Sequence, residues 1–199
     1  MTRFLDRGAI VAAYVGIGMA VTTAISFLLV IPIEPIYWLL AVPSGLLIGY
    51  YANQRSDRRA GPWTRILANA AYAGLVTGLT MAVLLLGVKA LFFFADNGYR
   101  GPDLGGSLTC TGGADCVYER YREDSATELA AAGISDAATF TGYYWRQQAS
   151  SAGTVLVLTL LGGIGGGILY GTFRPKTGPK PDPAADPGAA LARGVDPAP

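Results

Sequence analysis

The chain has 199 residues, of which 51% are hydrophobic and 15% are charged, and its formal net charge is +1 at pH 7. A soluble domain carries about 25% charged residues, whereas here the charges stand between long apolar runs, as they do in membrane proteins. The balanced charge gives no reason to expect nucleic acid as a partner, and the absence of histidine removes the commonest general base and metal ligand.

The first apolar run predicts a transmembrane helix, helix one, over residues 8–31. A short basic start with Arg3 and Arg7 precedes it, and Pro32 and Pro35 end it. A cleaved signal peptide is the alternative, because signal peptides also begin with basic residues. The uncharged run is about 24 residues long, which exceeds the signal-peptide core of about 7–15 residues, so we interpret it as a span.

The second apolar run predicts helix two over residues 36–52. Aromatic side chains lie at both of its ends, as they do at membrane interfaces, and Pro43 in its middle predicts a kink. The polar loop that follows carries Arg55, Arg58 and Arg59. We predict that these arginines lie near anionic lipid headgroups, and the same residues are typical of those that set topology.

The third apolar run predicts helix three over residues 66–94, which is long enough to project beyond the hydrocarbon of a bilayer. Lys89 lies near its far end, where a long side chain can reach the interface. The segment 95–151 that follows is the large polar stretch between the spans. Ser125 and Glu128 in this segment match a capping box, which predicts a helix that stops at Gly133.

A further helix is expected at the end of this polar segment, and it is expected to continue into the last span. Its start can be capped by Ser135 or by Asp136. Three aromatic residues share one side of it at three- and four-residue spacing: Phe140, Tyr143 and Tyr144. The aromatic run at 143–145 is typical of the membrane interface.

The last apolar run predicts helix four over residues 152–173. Residues 1–174 therefore form one predicted transmembrane domain. The tail 175–199 is rich in proline, alanine and glycine and has few large apolar side chains, so we predict that it is disordered and cytoplasmic.

Five glycines occupy six consecutive positions of helix four: Gly162, Gly163, Gly165, Gly166 and Gly167. Each glycine costs about 1 kcal/mol relative to alanine in a helix in water, but in hydrocarbon the backbone must bond to itself and the helix survives. Glycines remove side chains and let another helix approach closely. They cover an arc of about 240°, so two neighbouring helices are expected.

Helices one and three offer small residues at four-residue spacing. In helix one these are Gly8, Ala12, Gly16, Ala20 and Ala24, and in helix three they are Ala70, Gly74, Gly78 and Ala82. We therefore predict that helix four packs on helices one and three. The predicted packing residues are Gly74, Gly78, Gly162, Gly163, Gly166 and Gly167. Homo-oligomerisation, or docking of a membrane-protein partner on these glycines, is the alternative.

The distribution of charge predicts the orientation. The N-terminus, the loop after helix two and the start of the tail are basic, while the large loop is net acidic. Basic segments stay in the cytoplasm, so we place both termini inside and the loop outside the plasma membrane. Arginine-, alanine- and glycine-rich composition is typical of a high-GC bacterial genome. The fold prediction is an all-α membrane protein with four transmembrane helices and a large extracytoplasmic loop between helices three and four.

Both cysteines lie in this exterior loop. An oxidising compartment favours a disulfide between Cys110 and Cys116, and two free thiols are the alternative. The plan of four spans, both termini inside and a cysteine-bearing loop between spans three and four is similar to that of tetraspanins. The loop lacks the Cys-Cys-Gly of that family and has too few cysteines for its bridges, so the resemblance implies topology and no function.

Motifs for chemistry are absent from the sequence, which holds no H-E-x-x-H, no G-x-S-x-G and no phosphate-binding loop. The carboxylates at Glu119, Glu123 and Glu128 alternate with arginines, as on a solvated helix face. We predict no catalytic residue, no metal and no cofactor. A membrane enzyme with an acidic exterior cleft is the least favoured interpretation.

The sequence therefore predicts a non-enzymatic integral membrane protein that serves as an interaction or assembly component of the plasma membrane. Its expected partners are membrane lipids and either a membrane protein or a second copy of the chain. The alternative is a small transporter or channel subunit, whose polar path would be lined by the hydroxyl groups of helices one and three.

Overall fold

The computed structural model describes residues 5–28, 34–56, 61–95 and 112–173. Within these ranges all regular secondary structure is helical. The elements are α1 (Arg7–Thr23) with a π-helical turn after it (Ala24–Leu28), α2 (Glu34–Arg55), α3 (Trp63–Phe94), α4 (Ala114–Ala131) and α5 (Ala137–Thr172). Four helical stretches are long and apolar enough to cross a membrane, as expected of a multi-pass membrane protein: α1 with the start of its π-helical turn (Arg7–Ser26), α2, α3 and α5.

Three of the four spans match the predicted ones in position, with shifted ends, and the fourth is part of a longer helix. α2 runs from residue 34 to residue 55 and continues through Pro43, where the predicted kink stays a prediction. α3 begins three residues earlier than predicted, because the carbonyl of Pro62 accepts hydrogen bonds from the N–H groups of Arg65 and Ile66 at 3.0 and 3.3 Å. The predicted end of helix one at Pro32 lies outside the described residues.

The arrangement of the four spans places α2 and α3 in the middle. α1 packs on both of them from one side and α5 packs on both from the other, while α1 and α5 are not neighbours within the described residues. α5 is parallel to α2, because Gly45 lies against Thr159 and Gly49 lies against Gly163, four residues further along in both helices. α5 is antiparallel to α3, because Gly74 lies against the same Gly163 and Gly78 lies against Thr159.

The prediction that helix four packs on helices one and three is therefore half wrong. The structure puts α2 in the place expected for α1. The physical reason is that α2 has its own small residues at four-residue spacing, Ala41, Gly45 and Gly49, which allow closer approach than the alanine-rich face of α1 would. The small residues of α1 at four-residue spacing, its ladder, instead face α3 and the end of α2, with Gly16 against Thr77 and Gly8 against Ser56.

A second region stands beyond the four-helix bundle. It consists of the end of α3, all of α4 and the first part of α5, and we call it the cap. At 1.5 Å per residue, α3 is about 48 Å long and α5 about 54 Å, so both exceed the hydrocarbon thickness of about 30 Å. α4 contacts only α3 and α5 among the described elements, so the cap rests on these two helices.

The helices of the cap have well-defined ends. α4 consists of two helical stretches joined by a kink at Ser125, whose φ of −141° and ψ of 38° are not helical. The second stretch begins after Ser125, as the capping box predicts, whereas the first, from Ala114 to the kink, is not predicted by the sequence. Gly133 has the positive φ of 70° that ends the helix. Its N–H donates to the Ala130 carbonyl, and the N–H of Ile134 donates to that of Leu129, which is a Schellman motif.

α5 runs without interruption from the cap into the bundle, as the sequence predicts. Of the two predicted caps, Asp136 is the one used, because its Oδ1 accepts a hydrogen bond from the Thr139 N–H at 2.8 Å. This hydrogen bond from the Thr139 N–H holds the pKa of the Asp136 carboxyl below its ordinary value of 3.8.

Candidate functional site

A close helix contact joins α2 to α5, and it consists of backbone. A Cβ atom added to Gly45 would overlap the carbonyl oxygen of Thr159, and one added to Gly49 would overlap that of Gly163. From the other side, a Cβ on Gly162 would overlap the Val42 carbonyl. Side chains are therefore excluded along this contact, and the two helices touch through main-chain atoms.

The contact between α3 and α5 uses the adjacent side of the same glycine run. A Cβ on Gly163 would lie 2.9 Å from both the Ala70 carbonyl oxygen and the Gly74 Cα, and one on Gly167 would lie 2.7 Å from the Ala70 Cβ. A Cβ on Gly78 would lie 3.0 Å from the Thr159 Cβ. All six glycines predicted to mediate packing therefore lie at helix–helix contacts.

One glycine of the run is different from the others. Gly165 has no atom within 4 Å of an added Cβ, whereas a Cβ on its neighbour Gly166 would overlap the Leu46 carbonyl and lie 2.7 Å from the Tyr50 nitrogen. The broad arc of glycine thus has two occupied sides, toward α2 and α3, and one open side. Sequence reasoning missed Gly45 and Gly49, although their spacing is the same signal that identified the ladders of helices one and three.

Buried amides join the helices at the end of the bundle where α1 begins. Asn53 is fully buried, and its Nδ2 donates to the carbonyls of Gly49 at 3.1 Å and Ile66 at 3.0 Å, which links α2 to α3. Asn69 and Asp6 form a reciprocal pair: Asn69 Nδ2 donates to Asp6 Oδ2 at 2.8 Å, and the Asp6 N–H donates to Asn69 Oδ1 at 3.2 Å. These bonds hold the start of α1 on α3.

A second polar group of contacts lies near the other end of the spans. The Tyr37 hydroxyl is buried and donates to the Met81 carbonyl at 3.0 Å, so it joins α2 to α3. The indole N–H of Trp38 donates to Ser151 Oγ at 3.0 Å and joins α2 to α5. Interhelical hydrogen bonds of this kind stabilise packing in hydrocarbon, where a polar group has no water to bond.

The cap has a core of large side chains. Its buried residues are Phe93, Val117, Leu129, Phe140 and Tyr144. The predicted aromatic side of the last helix is confirmed, since Phe140 and Tyr144 are buried here and Tyr143 packs against the same cluster. The Phe93 ring lies 5.0 Å from that of Tyr144, and the Phe140 ring lies 5.1 Å from that of Tyr121. Such ring contacts contribute beyond their buried area.

Both ends of α4 are attached to the long helices. The Gly113 N–H donates to the Phe93 carbonyl at 2.9 Å, which fixes the start of α4 on the last turn of α3. Ile134, the last residue of the Schellman motif, packs into the aromatic cluster with α5. The cap is therefore a small three-helix unit whose position is set by the two spans that carry it.

The remaining predicted site residues are placed as follows. Cys116 lies in the first turn of α4 and is buried, while Cys110 lies outside the described residues, so the disulfide stays a prediction. Arg55 is exposed in the last turn of α2, and Arg58 and Arg59 lie outside the described residues. The predicted tail also lies outside them.

The charged side chains of the cap lie along its surface. In the described ranges, no cluster of three or more histidine, cysteine, aspartate or glutamate side chains is placed to hold a metal ion. The carboxylate of Glu119 forms an ion pair with Arg122 at 3.0 Å, three residues along α4.

Comparison with known protein families, with curated proteins and with solved structures found no match to this chain.

Proposed function

We propose that the chain is a non-enzymatic integral membrane protein that acts as an interaction or assembly component of the plasma membrane, with the cap as its working surface. The observation that carries this proposal is the continuity of α3 and α5, which extend from the glycine-lined bundle into the cap. Two continuous helices fix the height and the rotation of the cap relative to the membrane. A surface held in this way is suited to recognition by a rigid partner.

The chemistry of the cap surface supports a polar partner. The exposed side of α4 carries both signs of charge, on Arg122, Glu123, Asp124 and Glu128, while its apolar residues are turned into the aromatic cluster. Mixed charges at an interface give specificity and orientation more than affinity. We therefore expect a partner with a complementary charged surface, either another membrane protein or a second copy of this chain.

The alternative, a transporter or channel subunit, requires polar groups that face a shared path. Two buried threonine hydroxyls of α3 and α5 bond to their own helices instead: Thr77 donates to the Ala73 carbonyl at 2.9 Å and Thr159 to the Val155 carbonyl at 2.8 Å. This geometry favours packing over transport, so we place the interaction role first.

The proposal is tested by photo-crosslinking in native membranes. A photoreactive amino acid replaces Thr127, which is exposed on α4, and in a matched variant it replaces Tyr14, which is 71% exposed on α1. We expect position 127 to give one protein adduct of defined mass and position 14 to give lipid adducts. The adduct at 127 should disappear when Phe140→Ala disrupts the cap core.

Two results would contradict the proposal. One is the absence of any protein adduct at position 127, together with a monomeric mass in lipid nanodiscs. The other is equal protein adducts at positions 127 and 14, which would place the interaction surface in the membrane instead of on the cap.

A further inference from the structure

Arginines gather at the end of the bundle where α1 begins. Arg7 is the first residue of α1, Arg55 is the last residue of α2, and Arg65 lies in the first turn of α3. Arg7 and Arg55 are exposed. Among the described residues at this end, Asp6 carries the one carboxylate, and it is bonded to Asn69. This end of the bundle therefore has an excess of positive charge.

The fold brings two of these arginines together from different helices. A Cβ atom on Gly8 would lie 2.6 Å from the carbonyl carbon of Arg55. Since Gly8 directly follows Arg7, the Cα atoms of the two arginines are at most about 10 Å apart. The bonds between Asp6 and Asn69 hold the start of α1 in this position. Two long side chains that begin so close to each other can reach the same anion.

The charges of this arginine pair are not neutralised by carboxylates. In the described ranges, neither Arg7 nor Arg55 forms an ion pair. Two neighbouring guanidinium groups repel each other, and an anion between them offsets this repulsion. A guanidinium group also matches phosphate in shape, because it can donate two parallel hydrogen bonds to its oxygens. The chemistry of the pair therefore selects an anion that carries a phosphate.

The surrounding side chains place the pair at the edge of the bilayer. α1 has no charged residue after Arg7, and α2 has none between Pro35 and Gln54, so the hydrocarbon begins beyond the arginines. Tyr50 and Trp63 are 38% and 46% exposed near the same end of the bundle. Tyrosine and tryptophan concentrate where hydrocarbon meets headgroups. The arginine pair thus lies at the level of the lipid phosphates.

We propose that Arg7 and Arg55 together bind the phosphate of an anionic phospholipid. Both guanidinium groups donate hydrogen bonds to this phosphate. A zwitterionic headgroup fits less well, because its ammonium group is repelled by the same arginines. The sequence predicts headgroups near Arg55, but the partnership with Arg7 comes from the fold. This site is independent of the proposed interaction role of the cap.

The proposal is tested by titrating the full chain with lipid in a neutral detergent and counting bound lipids by native mass spectrometry. The probes are dioleoylphosphatidylglycerol, dioleoylphosphatidylcholine and inorganic phosphate. We expect one phosphatidylglycerol to bind roughly 5- to 30-fold more tightly than phosphatidylcholine, since each arginine near a headgroup contributes about fivefold. An excess of inorganic phosphate should not displace it, because the acyl chains also hold the lipid.

Three variants show whether the pair is responsible. Arg7→Gln is expected to weaken phosphatidylglycerol binding about fivefold. Arg146→Gln is the matched control and should leave binding unchanged, because Arg146 is also an exposed arginine but lies in the part of α5 that belongs to the cap. If one phosphate is shared, Arg7→Gln with Arg55→Gln should weaken binding by less than the product of the two single effects. All of these residues are exposed, so the variants should keep the melting temperature of the parent.

Four outcomes would overturn the proposal. Equal affinity for phosphatidylglycerol and phosphatidylcholine would mean that the arginines do not select the lipid. A loss in Arg7→Gln no larger than that in Arg146→Gln would mean that binding follows total charge. Single effects that multiply in the double variant would mean that the arginines act on separate lipids. Displacement by inorganic phosphate would mean that the pair binds a free anion instead of a lipid.

Discussion

The bundle and the cap are held together by opposite means. In the bundle, α5 approaches α2 and α3 where side chains are missing, at Gly163 and Gly166. In the cap, the same helix approaches α3 and α4 through large rings, at Phe140 and Tyr144. Different solvents around the two regions would produce this difference: burial of apolar area stabilises contacts in water, whereas in lipid close backbone packing and hydrogen bonds stabilise them.

This comparison predicts that the two halves of α5 respond differently to substitution. Larger side chains should destabilise the half that lies in the bundle, and smaller side chains should destabilise the half that lies in the cap. Substitutions of the two kinds therefore distinguish the regions, and the largest effect is expected where the backbone contact is closest.

Gly166→Leu is expected to have the largest effect. Its side chain would occupy the position of the Leu46 carbonyl of α2, which is backbone and cannot move aside. The loss in free energy of unfolding should exceed that of ordinary overpacking, which is about 1–3 kcal/mol. We therefore expect the melting temperature in detergent to fall by about 10 °C. Gly165→Leu is the matched control, since its Cβ meets no atom within 4 Å. Equal melting temperatures for the two variants would refute the glycine contact.

Phe140→Ala tests the cap. Phe140 is fully buried in the aromatic cluster, and truncation of a buried phenylalanine costs about 3–5 kcal/mol. We expect faster hydrogen exchange in α4 and unchanged exchange in the bundle half of α5. Gln147→Ala, at an exposed position of the same helix, should leave both unchanged. If the bundle exchanges faster as well, the two regions are one cooperative unit and the comparison fails.

Tyr37→Phe tests a hydrogen bond inside the bundle. The variant keeps the ring and removes the donor to the Met81 carbonyl, which still accepts within its own helix. We expect a loss of about 1 kcal/mol, or about 2–4 °C in melting temperature. Tyr14→Phe, on the exposed side of α1, is expected to change nothing. A Tyr37→Phe variant as stable as the parent would show that this bond contributes nothing.

Asp136 gives the smallest effect, and it depends on pH. Bonds from Thr139 lower the pKa of its carboxyl in the folded state, so the stabilisation is present above the ordinary value of 3.8 and is lost as the pH falls through the lower folded value. Asp136→Asn keeps a capping oxygen without the charge. The difference in melting temperature between parent and variant should therefore shrink from roughly pH 5 to pH 3. A constant difference would contradict this assignment.

Local features of this fold were predictable from the sequence because their signals are local. The four spans follow from long apolar runs, and the start of α5 follows from a capping aspartate. The aromatic side of the cap follows from helical spacing at Phe140 and Tyr144. In each case the residues that form the pattern also form the structure.

Pairing between helices was not predictable in the same way. All four spans carry small residues, and spacing alone does not say which ladders meet, so α1 was expected where Gly45 and Gly49 of α2 lie. The first stretch of α4, from Ala114 to the kink at Ser125, was missed for a related reason: its start is held by the hydrogen bond from Gly113 to Phe93, which are distant in sequence. Of the candidate site, the glycine face was visible in the sequence, but its partner helix was not.

The pairing of α5 with α2 is tested most directly by crosslinking. Tyr50 and Tyr170 have ring centroids 5.4 Å apart, so cysteines at these positions are within reach of a short bis-maleimide in a background without Cys110 and Cys116. The account predicts efficient crosslinking of this pair and none between cysteines at 14 and 170, because α1 and α5 are not neighbours. Crosslinking of 14 with 170, and not of 50 with 170, would contradict it.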